Sequence, residues 1–317
     1  MRIRKHNREE KRDENNMKFF EYFRQWMETY KKGVVRDVTY RKYVMAYNHL
    51  LDLCPKLEAE NLNKAEYQAL LNKYAETHEK QTTHDFHTML KACVLDAIDD
   101  GLIDKDPTRR VVIKGKQPKE KKRKYISKYE FQQLLRDLNL QKDVNFDWLI
   151  YLIAKTGMRF SEALAVTPED FDYASMKVRI NKTWDYKTGK GFQPTKNKSS
   201  ARAVRIDWQL ANRFRMLTEN MGQKEPIFVK YGEAVYNSTV NGILYRHCRN
   251  IGIEPISIHG LRHTHASLLL AAGASIASVS NRLGHSNMAT TQKVYLHVIK
   301  ELENMDTDVI MREMSSC

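Results

Sequence analysis

The stretch WLIYLIAKTGMRFSEAL, residues 148–164, decides how the second half of this chain is read. Its first seven residues, WLIYLIA, are apolar all round, and a helix without a polar face is one buried on every side. The run falls well short of the ~20 apolar residues that span a bilayer. Gly157 follows as the stop, because glycine takes the left-handed cap conformation without steric cost. Two residues later stands Arg159, at or near the start of the next helix. An arginine there is either a surface cation or, together with the free N–H groups of a helix start, part of an anion site.

Working outward, the segment before this helix opens on Ser127-Lys-Tyr-Glu130, a capping box. Phe131, Leu134, Leu135 and Leu138 follow on one face. Downstream the period changes. KVRI (177–180) and ARAVRI (201–206), with a turn at YKTGKG between them, predict a small antiparallel sheet. After Asp207 the pattern returns to helices as far as the C-terminus. LLLAAGA (268–274) is again too short to span a membrane.

Residues 19–113 read as all-helical. FFEYFRQWMETYKK places Phe19/Phe20, Phe23, Trp26/Met27 and Tyr30 at helical spacing. Tyr40, Tyr43/Val44, Tyr47 and Leu50/Leu51 repeat the pattern until Pro55. A third helix spans Ala65 to Tyr74, and a fourth runs from about Thr83 to Asp100 with Phe86, Leu90, Val94/Leu95 and Ile98 as its stripe. Arg41, Lys42, His84, His87 and Lys91 lie off these stripes, each a solvated position by itself and a DNA-facing set together. The run KGKQPKEKKRK (114–124) holds seven basic residues and one acid and cannot bury a core. It reads as a linker to a second domain, 125–317, whose Lys116, Lys119, Lys121, Lys122, Arg123 and Lys124 can lie along a phosphate backbone. Residues 1–18 are a polar, mixed-charge arm. The fold class expected is mainly α: a helical domain, then an α+β domain with a small antiparallel sheet.

The chain has 317 residues, with 53 Lys+Arg against 39 Asp+Glu, for a net charge of +14. Such a surface attracts polyanions: nucleic acid, an anionic membrane or an acidic protein, of which nucleic acid is the commonest partner for a basic chain of this size. The N-terminus has no apolar core and so is no secretory signal. The four cysteines, at 54, 93, 248 and 317, form no CxxC pair. Scattered thiols suit a reducing cytoplasm and argue against a zinc knuckle or disulfide framework.

Four stretches place basic or imidazole groups where packing alone would not: TGMRFSEAL (156–164), TKNKSSARAV (195–204), IHGLRHTHAS (258–267) and LGHSNMATTQKVYLHV (283–298). His259 and Arg262, spaced i, i+3, share a helix face. Two arginines, two histidines, a hairpin lysine and a tyrosine suit phosphoryl transfer without metal. A phenol has a pKa near ~10 and attacks poorly unless fixed cations neutralise the charge that develops. A lysine on a flexible hairpin can give the leaving oxygen its proton. Zinc is the competing reading, since His259 and His263 stand at i, i+4 with His265 close by. No glutamate completes an HExxH arrangement, so no metal is expected.

Together these stretches resemble the tyrosine recombinase, or phage integrase, family. TG-M-R-F-S-E is similar to its first arginine box, H-G-L-R-H-T-H-A-S to its HxxR box, and L-G-H-S with T-T-x-x-x-Y-x-H-V to its histidine and nucleophile boxes. The helical 19–113 segment resembles the family's core-binding domain. The resemblance implies that Tyr295 attacks a DNA phosphodiester, forming a 3′-phosphotyrosyl bond and freeing a 5′-hydroxyl. Arg159 and Arg262 would hold the non-bridging oxygens. His259 would assist proton transfer with the tyrosine, His285 would support the phosphate, and Glu162 would orient the set. The general acid would be Lys196 or Lys198. Strand alternation would put both on one side, and Lys196 is preferred because the family's lysine usually precedes the small polar turn. No ATP, metal or other cofactor is implied.

The reading that follows is a site-specific recombinase of a phage or other mobile element, acting in a bacterial cytoplasm without a membrane. It would assemble as a homotetramer on two DNA sites, with directionality or host bending factors as possible partners. Residues 301–314 would dock on a neighbouring subunit through Val309, Ile310 and Met314, or fold back on their own domain. Residues 1–18 are too few for the arm-binding domain that many such integrases carry. The alternatives are a type IB topoisomerase, which uses a similar tyrosine and basic set to relax supercoils, and a basic but inert DNA-binding protein.

Overall fold

The periodicity of residues 19–99 becomes four helices: α1 (Phe19–Tyr30), α2 (Asp37–Leu53), α3 (Lys64–Ala75) and α4 (Lys80–Asp99). They appear in a computed structural model that describes residues 17–117, 123–141, 143–195 and 198–295, residue 198 by its backbone alone. The chain divides into two units, 1–121 and 122–317. The first unit's core gathers Phe19, Phe23, Trp26 and Met27 of α1 with Leu50, Leu71, Phe86, Leu90 and Val94. Trp26 Nε1 donates to Asp96 Oδ2 at 2.5 Å, so the one polar atom of that ring is satisfied inside the core.

Two details differ from the sequence reading. Helix α4 starts at Lys80, three residues before Thr83, because Thr83 bonds back to the Glu79 carbonyl and closes a polar first turn that carries no apolar period. Tyr30 and Leu95, read as stripe residues, are largely exposed. Tyr30 is the last residue of α1, and Leu95 lies off the α4 face that buries Phe86, Leu90, Val94 and Ala97. The basic run that begins at 114 is also tied down at its start, where Lys116 N donates to His78 O at 2.8 Å.

The second unit is built on α6 (Phe146–Thr156), preceded by α5 (Lys128–Asp137) and followed by the short α7 (Phe160–Leu164). The Asn145 side chain caps α6 by accepting from Asp147 N and Trp148 N, and Gly157 closes it at φ 71. Between these caps every residue from Asp147 to Ala154 is buried. Burying a large apolar side chain contributes about 1.5–3 kcal/mol, so this helix anchors the unit's core. The capping box of α5 is present as read, with Ser127 Oγ accepting from Glu130 N and the Glu130 carboxylate from Ser127 N.

The β-region holds two small sheets where one was expected. Strands β1 (Phe171–Asp172), β2 (Lys177–Ile180) and β5 (Arg202–Arg205) form one antiparallel sheet in the order β1-β2-β5, with Val178 opposite Val204. Between β2 and β5 the chain inserts a hairpin of β3 (Lys182–Trp184) and β4 (Phe192–Pro194). The YKTGKG turn closes this hairpin rather than joining KVRI to ARAVRI. Asp185 holds the turn by accepting from Thr188 Oγ1, and Trp184 packs edge-on to Phe192 and Tyr231. Helices α8 (Trp208–Leu217), α9 (Asn237–Asn250), α10 (Ile258–Ala271) and α11 (Ile276–Leu283) complete the unit, and the chain is helical again over 288–295. Helix α10 packs on α6, which brings the HGLRHTHAS segment beside the end of the buried helix. Among the described residues no helix is long and apolar enough to cross a membrane.

Candidate active site

Three helix ends converge at the site. Helix α10 begins with Ser257, whose Oγ accepts from Gly260 N at 3.1 Å, and its first two turns carry His259, Arg262 and His263. Helix α6 ends at Gly157 (φ 71), and α11 ends at Gly284 (φ 67). The end of any helix leaves its last carbonyls without intrahelical partners, and a glycine in the left-handed region satisfies only some of them as it turns the chain away. Here arginines take them. Arg262, 2% exposed, donates to Gly157 O at 2.7 Å and to Leu283 O at 2.6 Å. Arg159, the N-cap of α7, donates to Gly284 O at 3.0 Å.

Glu162 holds the other side of Arg159. Its carboxylate accepts from Arg159 Nη1 at 2.6 Å, from Arg159 N at 2.9 Å and from Arg202 Nη2 at 3.0 Å. Burial alone would raise its pKa. The Arg202 and Arg159 guanidinium groups outweigh that, and the carboxyl titrates below its usual range. Arg202, on β5, also donates to Arg282 O at 2.6 Å and to Ser200 O at 2.9 Å. Burial and the neighbouring Arg159 press down the pKa of Arg262. A guanidinium at this depth nevertheless stays charged, because its intrinsic pKa is above ~12 and two carbonyls receive its protons.

Tyr295 ends the described chain on the 288–295 helix and is 2% exposed. Its hydroxyl lies 2.9 Å from His263 Nδ1. Burial pushes the phenol up to about 12, and the nearby Arg262 charge opposes that rise. His263 is pushed down to about 4 by burial first, then by His259, Arg262 and Lys124. His285, beyond the Gly284 cap, stands 2.7 Å from Thr291 Oγ1. Burial and then Arg262, Arg159 and Arg202 lower it to about 4. His259 is open to solvent on one side and crowded by protein on the other. That crowding, followed by Arg262 and Arg159, lowers its pKa as well.

The fold therefore brings Arg159, Glu162, Arg262, His285 and Tyr295 together, with His259 one turn before the tyrosine's partner. The hydroxyl's hydrogen-bond partner is His263, a residue the sequence reading did not single out for that contact, and His259, expected to assist proton transfer, packs edge-on against His263 with ring centroids 4.7 Å apart. On a helix both residues face the same way, so spacing alone could not separate them. The three histidines once weighed for zinc are divided. His265 Nε2 accepts from Arg282 Nε at 2.8 Å, and its Nδ1 lies 3.0 Å from Ala154 O. Among the described residues no histidine, cysteine and carboxylate group could hold a metal ion.

Lys196 lies outside the described residues. The alternation argument for Lys196 and Lys198 does not apply, because β4 ends at Pro194 and 198–200 is a 3-10 turn. Arg202 and Arg282 were not singled out from the sequence, although Arg202 stands in the TKNKSSARAV stretch. A strand arginine beside small residues reads as solvent-facing until a buried carboxylate is seen across from it. In the first unit Arg41, Lys42, His84 and Lys91 are exposed. His87 is not a free surface group: it is half-buried, and its Nδ1 lies 2.9 Å from the Tyr67 hydroxyl. Lys116 and Lys124 are described, and Arg123 is held by Glu130 at 2.6 Å, which spends its charge inside the protein. Lys119, Lys121, Lys122 and residues 301–314 lie outside the described residues.

The chain is 33% identical over 166 residues to the integrase of Staphylococcus phage L54a, covering 47% of each. It is 24% identical over 274 residues to the ICEBs1 integrase of Bacillus subtilis, covering 81% of this chain and 73% of that one. Several curated relatives are matched over only about half their length. Among solved structures, the Tn1549 transposon integrase in complex with a circular intermediate DNA superposes with TM-score 0.73 at 18% identity, covering 91% of this chain and 99% of that one. A lambda integrase dimer bound to a COC′ core site superposes with TM-score 0.67 at 15% identity, covering 88% and 77%. At such identities the likeness establishes the shared fold. The phage integrase family profile matches residues 124–301, more than half of the sequence, and the chain belongs to that family.

Proposed function

We propose that this protein is a site-specific DNA recombinase, the integrase of a phage or other mobile element, which cuts and rejoins DNA through a phosphotyrosyl intermediate. The observation that carries the reading is the Tyr295 hydroxyl, hydrogen-bonded to His263 within the field of Arg262. A buried phenol with a raised pKa is a poor nucleophile in the resting protein. Bound phosphate changes that, because Arg159, Arg262 and His285 surround the place where charge develops on the phosphorane. Cations and donors fixed in advance are worth several kcal/mol each, since nothing reorganises during the reaction.

In this reading Tyr295 attacks phosphorus, a 3′-phosphotyrosyl bond forms, and the 5′-oxygen leaves with a proton from Lys196 or Lys198. The covalent bond keeps the energy of the phosphodiester, so rejoining needs no nucleotide. Glu162 and Arg202 position Arg159. The exposed Arg41, Lys42, His84 and Lys91 of the first unit, with Lys116 and Lys124, contact the phosphate backbone. The relatives named integrases, and neighbours whose structures hold DNA, support double-stranded DNA as the substrate. Four copies act on two sites, with 301–314 docking on a neighbour and directionality or bending factors joining in.

The test is covalent trapping. A pool of nicked duplexes with randomised cores is incubated with the full chain, and adducts are recovered and sequenced. Adducts on a defined sequence, lost in Tyr295→Phe, support the reading. Efficient relaxation of a plasmid lacking that sequence would shift it to a topoisomerase, and no adduct from any duplex would end it. Unchanged assembly on DNA after truncation at Lys300 would defeat the docking of 301–314.

A further inference from the structure

We propose that His263, rather than His259, is the base that takes the proton from Tyr295 as the phenol attacks. The inference rests on the recombinase reading and assigns one step within it. A general base must lie within about 2.6–3.2 Å of the proton it removes. His263 Nδ1 meets that condition at 2.9 Å from the hydroxyl. His259 makes its contact with the His263 ring instead.

The protonation state of His263 follows from the charge around it. The groups facing His263 are His259 and Arg262 on its own helix, Lys124 from the segment before α5, His285 beyond α11, and Tyr295 from the 288–295 helix. Four of these are cations or can become so, and together with burial they keep the imidazole neutral. A neutral imidazole accepts through one nitrogen and donates through the other. As the base, His263 presents a bare Nδ1 to which the phenol donates, and Nε2 carries the ring hydrogen.

With the phenol near 12 and the imidazole near 4, the proton does not move before the attack; it moves during it. A phosphodiester anion entering beside His263 favours the imidazolium. The O–H bond of Tyr295 breaks as its oxygen bonds to phosphorus, and the proton joins the Nδ1 lone pair. The P–O5′ bond breaks with its electron pair on the 5′-oxygen, which takes a proton from the lysine named above. The imidazolium keeps the proton and returns it to the phenolate on rejoining.

Two measurements on the full chain test this. The first needs no DNA: ¹⁵N NMR of the histidines reads His263 at neutral pH, where Nδ1 should be bare and Nε2 protonated. A protonated Nδ1 overturns the proposal. The second uses the duplex recovered by trapping, made with ordinary oxygen or with sulfur at the scissile 5′ position, since a thiolate leaves without a proton. His263→Asn keeps a polar atom near Nδ1 but cannot act as a base. It should cleave about 10²–10⁴-fold more slowly on either substrate, with a rate that climbs with hydroxide between pH 7 and 9. Lys196→Ala or Lys198→Ala should recover on the sulfur substrate. If His263→Asn cleaves within threefold of wild type, or if only His259→Asn shows the slow, hydroxide-dependent rate, the proposal falls and the recombinase reading stands. If Tyr295→Phe still forms adducts, the reading itself falls.

Discussion

Glu162→Gln isolates the carboxylate on which two arginines depend. The Glu162 side chain is 1% exposed and accepts three hydrogen bonds, two from guanidinium groups and one from the Arg159 backbone. Glutamine has the same shape but only one acceptor oxygen, and it turns an NH₂ donor toward one arginine. Removing one partner of a buried ion pair costs about 3–5 kcal/mol, because the other charge is left without compensation. Two facts place the expected loss at the lower end. Arg159 is 30% exposed, so water screens its share, and Arg202 keeps Arg282 O and Ser200 O as acceptors. The expected destabilisation is about 3 kcal/mol, or a fall in Tm of about 6–12 °C for a unit of this size.

The pH dependence separates a charge effect from a packing defect. The folded pKa of Glu162 is depressed, so its ionisation stabilises the fold above the unfolded carboxyl value of about 4.3 and ceases to do so as pH falls through the folded value. Glutamine has no such dependence. The gap between wild type and Glu162→Gln, measured by urea denaturation, should therefore be widest near pH 7 and should shrink below about pH 4. A loss under about 1 kcal/mol, or a gap that stays constant on acidification, would refute the claim that this carboxylate holds the arginines by charge.

Other expectations can be checked alongside. Gly157→Ala combines a left-handed backbone with a Cβ 2.8 Å from the His265 ring and 3.0 Å from Leu283, whereas Gly252→Ala meets nothing at a similar φ; the first should lose at least about 1 kcal/mol more in thermal melts, and equal losses would refute the clash. His265 is buried and titrates near 3, so between about pH 6.5 and that value the unfolded chain binds a proton the folded chain does not; stability should fall on acidification by at most about 1.4 kcal/mol per pH unit from this residue, and stability that is flat from pH 6.5 to 4.5 would contradict it. If about 6–10 phosphates are contacted, DNA affinity should drop ~10³–10⁵-fold between 50 and 200 mM salt, and a flat response by fluorescence anisotropy would deny broad backbone contact. Arg41→Ala, Lys42→Ala and Lys91→Ala should each weaken binding to unrelated sequences alike, since phosphate contacts position rather than specify; a sequence-dependent loss would assign them to base readout instead.

What the sequence revealed depended on whether the cause was local. The Gly157 stop of α6, the capping box at Ser127 and the aromatic stripe of α1 are written in neighbouring residues, and local pattern finds them; the Asn145 cap was equally local but was not singled out. The family boxes gave the arginines, histidines and tyrosine in order, and the family membership they implied is borne out. The extra hairpin escaped because KTW and FQP are too short to show alternation. Arg202 and Arg282 escaped because their partners lie 40 or more residues away or are carbonyls: Glu162 for the first, Arg205 O and Lys155 O for the second. His263 was visible as a residue but not as the tyrosine's neighbour, because α10 and the 288–295 helix meet only in three dimensions.

The contact between a neutral phenol and a neutral imidazole also explains how so basic a site can rest without harm. Positive charge near a tyrosine lowers its pKa, and enough of it would leave a phenolate exposed to any electrophile. Here the same burial that shields the ring raises Tyr295 to about 12, so Arg262 moderates the rise without reversing it. The imidazole is depressed by the cations as well as by burial, so it carries no charge to repel the arginines. The guanidinium groups are already bonded to Gly157 O, Leu283 O, Gly284 O and Glu162, and so do not collapse onto the tyrosine. A phosphodiester supplies the missing negative charge. It favours protonation of His263 and gives the arginines a bidentate partner, while the forming P–O bond drains charge from the phenolic oxygen. Reactivity is thus tied to the arrival of the substrate's own charge.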